Sequence, residues 1–264
     1  MIYTDDGFPL IHDGNFRELI AEGDANGAMR GYNPAQAGPF GSSAPASQIT
    51  RLPRSTWGDH MRRQEAEKSS PYHWFLNGGV KVLNQGSWGY CWMYGLVGAM
   101  QTAYAMTGQQ APHLNAHFPA WLGKRGRNEG GWAGEALGYI KEFGVPEMSL
   151  FSGHPTSRAL FERGEVVANA EQHKVVEFGE LPRNDYEALV SVLLDPVNPR
   201  PVTMGLNWWG HLIYAVRAVK DGILIVNSWG ERWGQNGLSV LAPNKSVAFE
   251  QIAVERVAVR SQAA

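Results

Sequence analysis

The sequence predicts an α+β protein in which helices come first and strands second. The stretch Cys91 to Met106 carries no charge and is apolar on every side, the pattern of a helix buried at the centre of a domain. Beyond residue 200 the chain changes character. Pro201–Trp208, His211–Val219, Gly222–Trp229 and Gly237–Ala242 are short runs rich in Val, Ile and Leu, separated by turn residues, as strands are. Two halves segregated in this way leave a cleft between them, a natural place for a site.

Residues 1–70 read as an extended N-terminal arm or linker and 71–264 as the compact domain. Within the arm only Phe16–Gly23 has the look of a short helix. Gly27–Arg54 is dense in Gly, Pro, Ala and Ser without periodicity, and Asp59–Ser70 is a charged, solvated stretch. After the central helix, Gly134–Phe143 predicts a second helix, stopped by Gly144. Asn184–Asp195 predicts a third, with Asn184 as its cap and Glu187 three residues on. Lys220–Gly222 is a hairpin signal between two of the strands, and Gln251–Val259 reads as a last strand.

Lysine and arginine number 23 against 25 aspartates and glutamates, a net charge of −2. That balance argues against nucleic acid or an anionic membrane as partner. No run of about 18 apolar residues is present to span a membrane, and the N-terminus has no secretory signal pattern. Glycine is abundant, 31 of 264 residues against about 7% in an average protein, which suits tight turns beside aromatic surfaces. A single cysteine excludes an intramolecular disulfide framework. A cytoplasmic location, or one inside a viral or other multiprotein assembly, is expected.

That cysteine stands in "NQGSWGYCWMYGL", at the start of the apolar helix. A lone cysteine is ordinarily a small core residue. At a helix N-terminus, however, the partial positive charge stabilises a thiolate. Gly86 and Gly89 let the incoming backbone turn sharply, and the Gln85 amide can curl back as an oxyanion donor beside the Cys91 N–H. An imidazole to take the thiol proton is supplied by His211. The hairpin folds the next strand back so that Asn227 can orient that ring, with Trp229 shielding the pair from water.

These residues resemble the papain-like cysteine proteases. "QGSWGYCW" is similar to that family's QGSCGSCW signature, and "NSWGERWGQNG" (Asn227–Gly237) to its NSWGxxWGxxG segment. "NEGGWAGEALGYIKEFGV" resembles the C-N-G-G stretch, and "LPRNDYEALVSVLLDPVNPRPVTMGL" the helix-then-strand of the second half. The resemblance runs from about Pro71 to Ala242. It implies a papain-like two-subdomain fold, with a helical left half, a β-barrel-like right half and the active-site cleft between them. It also implies an endopeptidase with Cys91 as nucleophile, His211 as general base and acid, Asn227 as orienter and Gln85 as oxyanion donor, acting on a peptide or protein substrate without a cofactor or metal. Gly130 and Gly131 would bond an extended peptide through their backbone. Trp132, Ala133, Gly205 and Leu212 would line an apolar pocket for the second side chain before the cut, with Trp229 at the cleft wall.

The sequence departs from the pattern in places. Trp88 replaces a disulfide cysteine, and Tyr90 replaces a small residue and is expected to narrow the cleft. The interval from Cys91 to His211 is about 120 residues, below the roughly 130–150 of the family, which implies a missing loop before the histidine. The helical inhibitory pro-segment motif is absent, so zymogen control is not expected, although the first 70 residues are a candidate for covering a comparable surface. Two other functions use the same residues. One is a catalytically silent scaffold, with the arm docked on a neighbouring chain in an assembly such as a viral particle. The other is an amidase or acyl transferase. His113 and His117 have the spacing of two helical metal ligands but lack a third, and read as surface or packing residues.

Overall fold

The computed structural model describes residues 2–25, 27–34, 48–151 and 153–258. The chain opens with β1 (Leu10–Ile11) and α1 (Phe16–Ala25), followed by α2 (Trp57–Glu67) and α3 (Pro71–Asn77). The central helix α4 spans Cys91–Met106, and every residue from Cys91 to Ala105 is buried. Its lack of a polar face leaves it no stable position except between other layers. Gly95 and Gly98 set how close the sheet can come. A β-carbon at Gly95 would lie 2.5 Å from Leu212 Cδ2, and one at Gly98 would lie 2.4 Å from the Tyr214 ring.

Around α4 stand α5 (His117–Gly123) and α6 (Ala133–Phe143), the latter ending before Gly144 as its sequence predicts. The short helices α7 (Arg158–Phe161) and α8 (Gly164–Ala170) close a small satellite core of Phe118, Phe161, Val166 and Ala170. β2 (Val175–Glu180) then leads to α9 (Tyr186–Leu193). The cap of α9 is Asp185, whose carboxylate accepts from Ala188 N at 2.8 Å, and not Asn184. Asn184 instead adopts φ 56°, a left-handed turn that asparagine tolerates well, which leaves the cap to the acid after it.

The remaining strands are β3 (Val202–Leu206), β4 (His211–Val219), β5 (Gly222–Val226), β6 (Leu238–Leu241) and β7 (Glu250–Val257). Residue 259, the end of the expected last strand, lies outside the described residues. The order β1-β6-β5-β4-β3-β7-β2 makes one seven-stranded sheet. Barrel-like is therefore a loose description of this half: β1 and β2 stand at opposite edges, and the sheet stays open. Leu212, Tyr214 and Val216 face α4, whereas Ile213 and Ala215 face a second core shared with α9.

Residues before Pro71 are not extended throughout. α1 and β1 pack on the sheet edge, where β1 pairs in parallel with β6. Further on, Arg51 grips the Asp185 carboxylate through two bonds of 2.8 and 2.5 Å, and Gln64 Nε2 donates to Leu193 O at 2.8 Å. The stretch expected to be merely solvated thus lies mostly within α2, whose charges face out while Gln64 is buried.

Candidate active site

The loop before α4 is tied to both halves. Gln85 N donates to Ser228 O at 2.9 Å, Gly230 N donates to Leu83 O at 3.1 Å, and Asn84 bridges Trp229. Its outer side is held by Asn128, whose Oδ1 accepts from Gly89 N at 2.6 Å and whose Nδ2 donates to Ser87 O at 3.0 Å. Asn128 stands where the C-N-G-G pattern has its cysteine, so two hydrogen bonds tie this loop where the resemblance puts a crosslink. Trp88 stacks on Tyr90 at 5.2 Å. Tyr90 does not narrow the cleft: its ring is buried and its hydroxyl donates to Arg127 O at 2.7 Å.

Hairpin pairing of β4 with β5 brings His211 and Asn227 together. His211 Nε2 lies 2.8 Å from Asn227 Oδ1, which also accepts from Ser228 N at 2.7 Å. Trp229 and Trp209 cover the ring, with centroids 4.8 and 5.0 Å away. His211 Nδ1 has no hydrogen-bond partner among the described residues. This is the ring nitrogen left available for a thiol.

Across this site runs a segment of the chain itself, Met29 to Asn33. Gly31 N donates to Cys91 Sγ at 3.3 Å. Gly131 N donates to Gly31 O at 2.8 Å, and Asn33 N to Gly131 O at 3.0 Å, so Tyr32 pairs with Gly131 as a parallel strand. On the other wall Tyr32 N donates to Gly210 O at 3.1 Å. Gln85 Nε2 donates to Met29 O at 2.8 Å and to Trp88 O at 2.6 Å, while its Oε1 accepts from Ser228 Oγ at 2.6 Å. The donor that the sequence reserves for an oxyanion is thus engaged by a carbonyl of the arm. The Tyr32 ring fills the space over Gly205, where a β-carbon would lie 2.4 Å from Cζ. The absence of a recognisable pro-segment motif therefore did not leave the groove open. Five residues suffice to fill it, and backbone hydrogen bonding requires little of their side chains.

The segment changes the chemistry of what it covers. Cys91 and His211 are both fully buried. Burial pushes the Cys91 thiol up to about 11, although the N–H groups of the α4 start and of Gly31 pull the other way. Burial also lowers the His211 imidazole to about 4, against the opposing pull of the Asn227 bond. With the segment in place, burial disfavours the charged form of both groups.

Of the other expected contacts, Gly131 and Gly205 touch the segment directly, and Gly130 lies beside it, a β-carbon there falling 2.5 Å from Gly31 O. Ala133 is buried at the start of α6, Trp132 is half-buried before it, and Leu212 packs on Gly95. Trp229 packs on His211, and α1 approaches its ring at Gly23. His113 and His117 share no helix, because α5 begins at His117. Among the described residues no group of three or more His, Cys, Asp or Glu is placed to hold a metal, and no helix is long and apolar enough to cross a membrane.

Sequence reasoning missed Gly31, Tyr32, Asn128 and Glu250. Only Glu250 left a signal: it falls in step with Ile252 and Val254 on the inward face of β7, where an acid is out of place.

No protein-family model matches the chain, and no curated protein does. Solved structures do. Procathepsin L 3 of Tenebrio molitor larval midgut is 14% identical, with 91% of this chain and 85% of that one covered at a TM-score of 0.61. Xylellain, a cysteine protease from Xylella fastidiosa, is 16% identical, with coverage of 68% and 83% at 0.56. The Carica candamarcensis cysteine protease CMS1MS2, in complex with E-64, is 24% identical, with coverage of 69% and 97% at 0.54.

Proposed function

With the papain-like fold as premise, we propose that the chain is a cysteine endopeptidase held latent by its own residues 29–33. The observation that carries this reading is the strand pairing of Tyr32 with Gly131 while Gly31 N–H meets the Cys91 sulfur. A groove that binds one extended backbone in this way is built to bind another.

The polarity of the segment explains why it is not a substrate. A nucleophilic sulfur needs a carbonyl carbon, with the pocket-filling residue preceding the scissile bond. Here Tyr32 fills the pocket but follows Gly31, and an N–H reaches the sulfur. Once the segment leaves, water and substrate reach the site and the burial that holds both groups neutral is relieved. The Cys91 thiol then passes its proton to His211 Nδ1, with Asn227 fixing the ring through Nε2. The thiolate, at the start of α4, attacks the substrate carbonyl. Gln85 Nε2, freed from Met29 O, and the Cys91 N–H receive the oxyanion. Imidazolium protonates the leaving amine, and water releases the acyl-enzyme with His211 as base.

A fluorogenic peptide library assayed with the native chain, Gly31→Ala and Gly31→Ala/Cys91→Ala tests this. Cleavage should be greatest for Gly31→Ala and abolished when Cys91 is also replaced. Equal cleavage by the chain lacking the thiol overturns the mechanism. A second reading, a silent scaffold, is favoured by the complete burial of Cys91. It predicts that Gly31→Ala neither cleaves peptides nor reacts with iodoacetamide.

A further inference from the structure

The first 33 residues are held in two different ways. Residues 27–33 cross the groove on main-chain hydrogen bonds, and Tyr32 is their one buried residue. Met29 is 42% exposed, and Arg30 pairs at 2.9 Å with Asp24 of α1, not with the groove. Residues 2–25, by contrast, are built into the domain. Phe8 belongs to the core around α4, while Ile11 and Leu19 belong to the core shared with α9. Val240 N donates to Pro9 O and Ala242 N to Ile11 O, both at 2.9 Å, so β1 covers an edge of β6 that would otherwise stand bare. Lys245 Nζ holds Asp13 at 2.6 Å, and the Phe16 ring meets Trp208 edge-on at 5.6 Å.

A segment joined by backbone bonds and one buried side chain opens at lower cost than a piece that shares two cores. A terminus tied into a sheet keeps its place when the chain beyond it moves. The built-in piece also reaches the catalytic pair at one remove. A β-carbon on Gly23 of α1 would lie 2.0 Å from the Trp229 ring, and that ring covers His211 with centroids 4.8 Å apart. Taking α1 away would free Trp229 to move and let water reach the bond between His211 and Asn227.

We propose that residues 2–25 are a permanent part of the working fold. Residues 27–33 alone leave the groove, and after a cut in that stretch the N-terminal piece stays bound as a second, non-covalent chain whose α1 backs Trp229. This rests on the reading of residues 29–33 as the block and goes beyond it. The N-terminal arm is thereby divided between a strap that is released and a subunit that is kept.

Two measurements on the full chain carrying Cys91→Ala, which cannot cut itself, test this. In the first, hydrogen exchange followed residue by residue should be at least about tenfold faster at the amides of Gly31, Tyr32 and Asn33 than at those of Val240 and Ala242, which β1 protects. Equal rates would mean that the arm opens as one body, and would overturn the proposal. In the second, the recognition tetrapeptide of factor Xa is inserted after Gly27, where no atom lies within 4 Å of a β-carbon position, and the chain is cut there. The N-terminal fragment should co-elute one to one with the remainder on gel filtration in buffer and separate from it in urea. Loss of the fragment in buffer overturns the proposal. Neither readout uses turnover. If the fragment is retained but the cut chain with Cys91 restored cleaves no peptide, only the peptidase reading falls.

Discussion

A β-carbon on Gly31 would lie 1.8 Å from the Gly89 carbonyl oxygen, a contact with backbone that cannot swing aside. Overpacking of this kind costs about 1–3 kcal/mol, and here the cost falls on segment docking, because Gly31 belongs to no helix or strand. Gly31→Ala should therefore raise the rate of Cys91 alkylation by iodoacetamide roughly tenfold or more, with urea stability nearly unchanged. An unchanged rate would show that the segment does not guard the thiol. At this scale the sequence disclosed Cys91, Gln85, His211 and Asn227 as candidates because each lies in a motif whose spacing has a chemical reason. It did not disclose Gly31 or Tyr32, which act through main-chain bonds that leave no pattern in residue types. Asn128 was hidden for a related reason, since its two hydrogen bonds to the loop require a fold to bring residues 87–89 and 128 together.

Among the elements, α4 was the most legible because a helix with no polar face can only be central. What the periodicity did not carry was its distance from the sheet, which two glycines set. Gly98→Val would drive its side chain into the Tyr214 ring, where even a β-carbon would sit 2.4 Å away. It should destabilise the chain by about 1–3 kcal/mol or more, read as a fall in the urea midpoint at constant slope. β4 and β5 were legible from their Val, Ile and Leu content and the turn between them. β2 and α2 were not, because partly exposed elements mix polar and apolar residues and take their structure from what they pack against. The open sheet likewise depends on which edges pair, and β1, with two residues, is too short for any sequence pattern to announce.

For the whole molecule, three buried groups set an acid response. His211 and His117 are lowered by burial to about 4 and about 3, while Glu250 is raised by burial to about 7. Between about pH 4.5 and 6.5 the folded chain keeps both imidazoles neutral and Glu250 protonated. The unfolded chain has the opposite states, so unfolding takes up two protons and releases one. Stability contributed by the histidines is complete above about pH 6.5 and is lost toward pH 4, whereas that from Glu250 is complete below about pH 4.5 and is lost toward pH 7. With His73 and His113 also lowered by burial, the net is a fall in stability on acidification, measurable by urea titration across that window. Glu250→Gln removes the opposing contribution and should steepen the slope, and a flat or inverted profile would contradict these assignments. The backward course of residues 29–33 has a kinetic corollary. On the peptidase proposal, a nucleophile facing an amide nitrogen cannot sever the tether that blocks it, so a cut that frees one copy has to come from another molecule, an already opened copy included. Onset of activity should then be autocatalytic, with a lag that shortens as the preparation is concentrated and vanishes when a trace of already opened enzyme is added as seed.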